Sequence, residues 1–292
     1  KTLQKLKSKK TASLVCILGR RRIGKSHLIA QFGKEFRKFV RIQGLGPEVK
    51  SDKQDQLNHF AIRISEIFNK KKSYYEDWAE AFTDLSKYTS KGEVLILLDE
   101  ISWMGRGDPM FAAKLKDAWD TQFKENPKLI LVACGSVSSW IEDNILNNAS
   151  FEGRISLKID LQELDFNEIS EFWHEQNLNY GSLEKMQLLS LTGGVPKYLE
   201  EIDVEQTIEQ NIIRLCFNES GFLYNEFKHI YLNIFERKSK TYEKIIRYCL
   251  DQKLSPVELA KKMKMVQNSD LSENIHNLEL SGFLGRDFYF KP

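Results

Sequence analysis

A chain of 292 residues, 41% of them hydrophobic, can build one large soluble domain or two to three smaller ones. Its formal charge of +2 is uneven: residues 1–50 carry 14 Lys or Arg against 2 acids, and residues 51–292 carry 29 against 39, which suits an anionic ligand near the amino-terminal part. There is no run of about 18 apolar residues to span a membrane, no apolar signal core after "KTLQKLKSKK", and no CxxC pair among the four cysteines, so a cytoplasmic protein with buried free thiols is expected rather than a zinc or disulfide framework.

In chain order, five β-like runs stand out: "ASLVCIL" (12–18), "FVRIQ" (39–43), "EVLILL" (93–98), "KLILVAC" (128–134) and "ISLKIDL" (155–161). The first, third and fourth are almost wholly aliphatic, as in strands buried on both faces of a parallel sheet. Helix-compatible stretches separate the second, third and fourth runs, which predicts an α/β layer architecture. After about residue 165 the pattern turns helical, with "DFNEISEFWHEQ" opening on a capping-like Asn167. From residue 239 three short helices and an apolar-aromatic strand pair, "LGRDFYFKP", read as a winged helix-turn-helix. The expected division is 1–164 for the α/β domain, 165–238 for a helical domain and 239–292 for the winged helix. The lack of an initiator Met and the stop after "DFYFKP" read as a fragment.

"GRRRIGKS" fits G-x-x-x-x-G-K-[ST] through Gly19, Gly24, Lys25 and Ser26, between a buried strand and an amphipathic helix. Glycines let backbone N–H groups turn toward phosphate oxygens, and the helix N-terminus favours negative charge. The candidate nucleotide-binding residues are therefore Gly19, Arg20, Arg21, Arg22, Ile23, Gly24, Lys25, Ser26 and His27. Lys25 would reach the β- and γ-phosphates, and Ser26 would ligate Mg²⁺. The three arginines are expected to raise the local potential and stay solvated. "EVLILLDE" ends a buried strand in Asp99 and Glu100, at the sheet edge where α/β proteins place ligands. Asp99 would share the Mg²⁺ with Ser26, and Glu100 would polarise the attacking water. Ser136, after the fourth strand, reads either as a γ-phosphate sensor or as part of the cap of the next helix.

These segments, with "FEGRISLKIDL" and "LTGGVPKYL", give the chain a resemblance to the prokaryotic AAA+/STAND-type ATPases of the archaeal ATPase family, relatives of the origin-recognition ATPases. The resemblance implies a P-loop NTPase fold with a five-stranded parallel sheet in the order 5-1-4-3-2, then a helical lid and a winged helix. It implies ATP or ADP with Mg²⁺ as ligands. Gly194 and Pro196 would belong to a lid motif near the nucleotide; read from residues alone, "TGGVP" is a glycine helix stop followed by Pro. Arg154 matches an arginine that in relatives lies near the nucleotide or a neighbouring subunit; its alternative is an ordinary salt bridge. The family's "GR..E" segment that helps cover the base has no counterpart here.

The functional expectation is a slow Mg²⁺-dependent ATPase that couples nucleotide state to lid and winged-helix position. One alternative is a switch that holds ADP or ATP with little turnover and acts through a protein partner or self-association. The other is a DNA-binding ATPase, which the charges oppose: residues 240–292 hold 9 basic and 7 acidic residues, and "SDLSENIHNLEL" contains Asp270, Glu273 and Glu279 but no Lys or Arg. Lys261, Lys262 and Lys264 on the preceding helix are what could touch a phosphate backbone.

Overall fold

Six-residue aliphatic runs with no polar alternation can be buried only if both of their faces are covered, and the chain covers them with helices. The computed structural model describes residues 2–46, 51–136, 139–178, 180–226, 239–250, 252–265 and 269–287. Strands β1 (Ser13–Leu18), β2 (Lys38–Gln43), β3 (Val94–Asp99), β4 (Leu129–Cys134) and β5 (Ile155–Asp160) form one sheet in the order β2-β3-β4-β1-β5. Every neighbouring pair is parallel, as the sequence predicts. In β1, β3 and β4 all six residues are buried, whereas β2 and β5 form the edges and β5 alternates half-buried with exposed. The strand patterns thus encode position in the sheet as well as its existence.

The chain divides into two compact units, one of residues 1–19 and 25–160, the other of residues 20–24 and 161–292. In the first, helices α1 (Thr2–Lys7) and α2 (Lys25–Gly33) cover one sheet face, where Leu3, Leu6, Ile29 and Phe32 pack on Val15, Ile17, Leu95, Leu97, Ile130 and Val132. Helices α3 (Lys53–Ile67), α4 (Trp78–Thr89) and α6 (Phe111–Thr121) build an aromatic cluster in which the Trp78 ring lies 5.3 Å from Phe60 and 4.9 Å from Phe111. Each such buried side chain contributes about 1.5–3 kcal/mol of transfer free energy. Between them, α5 (Ile101–Met104) follows directly on β3 and Glu100. Helix α7 (Ser139–Ile141) follows β4.

In the second unit, α8 (Phe166–Glu175), α9 (Ser182–Thr192), α10 (Pro196–Glu200) and α11 (Ile208–Ile212) bury Ile169, Trp173, Leu188, Leu199, Ile202 and Ile208 together. Helix α8 is capped by Asp165, which accepts from the N–H groups of Asn167 and Glu168. Asn167, the capping residue expected from sequence, already lies inside the helix, because Asp165 and Glu168, three apart, form a reciprocal capping box that sets the start two residues earlier. Helices α12 (Ser239–Leu250), α13 (Pro256–Met263) and α14 (Ser269–Leu280) share a second core of Tyr242, Ile245, Leu259, Leu271, Ile275 and Leu278. The three expected helices are thus present. Phe283–Asp287 form no strand, and the rest of the expected strand pair, 288–292, lies outside the described residues. No helix among the described residues is long and apolar enough to cross a membrane.

Candidate phosphate and metal site

A parallel sheet sends the carboxyl ends of β1, β3 and β4 to one edge, and that edge gathers the candidate residues of the first unit. Lys25 begins α2 almost wholly buried, and its ammonium donates to the Gly19 carbonyl at 2.8 Å. Beside it the Ser26 hydroxyl donates to Oδ1 of Asp99 at 3.0 Å. Asp99, 1% exposed, also receives Arg41, whose Nη2 lies 2.9 Å from Oδ2.

Glu100 follows in left-handed backbone, φ 50° and ψ 53°, and its carboxylate accepts from Ser136 twice: the backbone N–H at 3.2 Å and the hydroxyl at 3.2 Å. Burial pushes the Glu100 carboxyl above the ordinary glutamate range; Asp99 adds to the push, and Lys25 and the Ser136 N–H oppose it. Ser136 therefore meets Glu100, which neither the phosphate-sensing nor the helix-capping reading anticipates. Under the same residues, the Gly44 N–H donates to the Asp99 carbonyl, and a Cβ on Gly44 would lie 2.9 Å from the Glu100 carbonyl oxygen and 3.0 Å from the Met104 nitrogen. Arg41 and Gly44 escape a motif search because they act through strand pairing; the only sequence signal is a glycine directly after "FVRIQ".

Two hard oxygens, Ser26 Oγ and an Asp99 carboxylate, suit Mg²⁺, which takes one or two protein ligands and completes its shell with water and phosphate oxygens. Among the described residues no group of three or more His, Cys, Asp or Glu could hold a metal by itself. The thiols are free, and burial pushes both Cys16 and Cys134 upward, Cys16 to about 12, so neither is a nucleophile.

The loop centre, residues 20–24, belongs to the second unit. Gly24 has φ 91° and Arg22 φ 68°, so the loop turns through left-handed backbone, and Gly24 occupies the position that an L side chain rarely adopts. Ile23 is buried. The expectation of solvated arginines fails here for two of the three. Arg20 pairs with Glu163, while Arg22 lies 2.7 Å from the buried Glu226 and 4.4 Å over the Phe222 ring. Tyr198 donates its hydroxyl to the same Glu226 at 2.9 Å. Arg21 is half-buried. A carboxylate as buried as Glu226 is costly to leave without a cation, and a guanidinium is the cation best suited to pair with it.

Gly194 donates its N–H to Glu163 at 3.1 Å, Gly193 closes α9 and Pro196 opens α10, which is the helix-stop role read from the residues alone. His27 is exposed and bonds only to Gln31 of its own helix among the described contacts. Arg154 precedes β5 and binds Asp120 through Nε at 2.9 Å and Nη2 at 2.8 Å. In the sheet register Leu14 pairs with Ile155, so Arg154 sits at the amino edge, a full strand from the loop that follows β1. Arg154 is therefore held in a salt bridge with Asp120 at the opposite edge of the sheet from the loop after β1.

The profile of a family described as an ATPase domain predominantly from Archaea matches residues 1–202. No curated protein matches. Among solved structures, the Walker-type ATPase of Pyrococcus abyssi aligns with TM-score 0.63 at 18% identity, covering 96% of this chain and 87% of that one. The ORC2 protein of Aeropyrum pernix, solved in ADPNP and ADP complexes, aligns with TM-score 0.54 at 14% identity, covering 96% and 83%. At such identities the likeness is one of fold.

Proposed function

The chain belongs to the family of ATPase domains found predominantly in Archaea, and from that premise we propose that it binds ATP with Mg²⁺ at the edge built by Lys25, Ser26, Asp99 and Glu100 and hydrolyses it. The observation that carries this reading is the 3.0 Å bond from Ser26 to Asp99, which joins the phosphate loop to the end of β3 with Glu100 next in the chain. Gly19, Gly24 and the start of α2 would cradle the phosphates, and Lys25 would exchange the Gly19 carbonyl for a β- or γ-phosphate oxygen. Ser26 and Asp99 would hold Mg²⁺, which would supply positive charge to offset that of the phosphates. Glu100, its proton affinity raised by burial, would take a proton as water attacks the γ-phosphorus and the bond to ADP breaks.

A Lys25→Ala protein should lose the nucleotide that wild type retains on denaturation and chromatography. A Glu100→Gln protein should retain it while phosphate release falls on the order of 10²–10⁴-fold. Wild-type turnover in Glu100→Gln would refute the assignment of Glu100.

A second reading, a slow nucleotide switch of STAND type acting through a protein partner or self-association, draws support from the two bonds that Ser136 makes to Glu100. A base so engaged must be released before it can act. The lid role of Gly194 and Pro196 and a winged-helix role for residues 239–292 belong to this reading. Arg154, far from its own loop, fits service to a neighbouring copy better than service in its own site. DNA binding has the least support, since α14 presents Asp270 and Glu273 at the surface.

A further inference from the structure

We propose that Arg41 is the resident counter-ion of Asp99: it holds that carboxylate when no metal is bound and competes with Mg²⁺ for it. The inference rests on the proposed metal site and adds a residue that neither the loop motif nor the acidic pair includes. Strand alternation buries Val40 and Ile42 on one face of β2 and leaves Arg41 on the other. The register pairs Arg41 with Leu97 and Gln43 with Asp99, so the long side chain leans two positions along β3 to reach the carboxylate.

Asp99 is almost wholly desolvated, with 2% of its side chain exposed, and both its oxygens are engaged, Oδ1 by Ser26 and Oδ2 by Arg41. A buried carboxylate without a cation is costly, and Arg41 removes that cost in the metal-free protein. Arg41 itself is 43% exposed. It can turn into water with little loss, which makes it a replaceable partner rather than a structural one. A dication arriving at Asp99 meets the repulsion of a guanidinium 2.9 Å from Oδ2 and must displace it or share the carboxylate. Arg41 therefore raises the Mg²⁺ concentration at which nucleotide is locked in.

The test follows release of a fluorescent N-methylanthraniloyl-ADP as free Mg²⁺ is varied, a readout independent of turnover. Arg41→Met, which keeps length without charge, should lower the half-effective Mg²⁺ on the order of three- to tenfold, the scale of one unit charge at a half-exposed site. Arg41→Gln should agree with it, Arg41→Lys should stay near wild type, and thermal melting checks that all three fold. An unchanged or raised Mg²⁺ requirement in both neutral variants would overturn the proposal. So would selective weakening of the ATP analogue over the ADP analogue at unchanged Mg²⁺ requirement, which would make Arg41 a phosphate contact. Asp99→Asn separates the two levels of inference. If Mg²⁺ slows release equally in wild type and Asp99→Asn, the metal site itself is misplaced. If Asp99→Asn loses the Mg²⁺ effect while Arg41→Met and Arg41→Gln keep the wild-type half-effective Mg²⁺, the metal site stands and only the role of Arg41 fails.

Discussion

Glu100 adopts left-handed backbone, φ 50°, a conformation that costs a residue with a Cβ about 1–2 kcal/mol and that persists where surrounding contacts fix it. The backbone here is held by the Trp103 N–H on the Glu100 carbonyl and the Gly44 N–H on the Asp99 carbonyl, while the two Ser136 bonds restrain the carboxylate itself. If Ser136 restrains the base, Ser136→Ala should raise turnover a few-fold, measured as phosphate release; a fall would return Ser136 to the phosphate-sensing role suggested by its place after β4. Arg154 belongs to a different residue-scale balance. Its guanidinium, with help from Lys116, holds the Asp120 carboxyl down at about 2 against an ordinary 3.8. A depressed carboxylate stabilises the fold above its unfolded pKa and stops doing so as pH falls through the folded one. Denaturant melts of wild type and Asp120→Asn should therefore differ most at neutral pH, and the difference should shrink between about pH 4 and pH 2.

Elements explain which parts of the site the sequence makes legible. β1, β3 and β4 announce themselves because burial on both faces leaves no polar positions, and the loop motif and acidic pair follow at their ends. The pairings Arg41–Asp99, Ser136–Glu100 and Arg22–Glu226 are not legible, because each joins residues brought together by strand order or helix packing rather than by spacing along the chain. Gly44 is the sharpest case, since a glycine after a strand usually marks only a turn. Its reason is the backbone of the β3–α5 junction, which leaves no room for a Cβ at 2.9–3.0 Å. With the Trp103 Cβ also at 3.0 Å, none of the three neighbours is a flexible side-chain tip, so the junction itself must shift. Gly44→Ala should cost about 1–3 kcal/mol by overpacking and lower phosphate release, because the displaced segment carries Glu100. Retained turnover with lost stability would confine Gly44 to folding.

At the scale of the whole molecule, compactness does not follow chain order: five residues at the centre of the phosphate loop are grouped with residues 161–292. Within that unit Arg22 is held by Glu226, with a side chain 6% exposed, and lies over Phe222. Burial and the Glu226 charge push the Tyr198 hydroxyl upward, so it stays a proton donor to that carboxylate. Two groups, Arg22 and Tyr198, thus close around one buried charge, and their removal should be non-additive. Arg22→Ala leaves Glu226 without its guanidinium and should destabilise the unit by about 3–5 kcal/mol. Glu226→Gln removes the charge that needed the partner, so Arg22→Ala with Glu226→Gln should cost clearly less than the sum of the two single changes. Thermal or denaturant melts of the four proteins of this cycle, with Arg21→Ala as a comparison, measure the coupling. A solvated arginine, the expectation from sequence, would give additive effects near zero. Strong coupling would mean that the phosphate loop's own arginines are structural members of the helical unit, so that a change at Glu226, 200 residues along the chain, is felt in the loop.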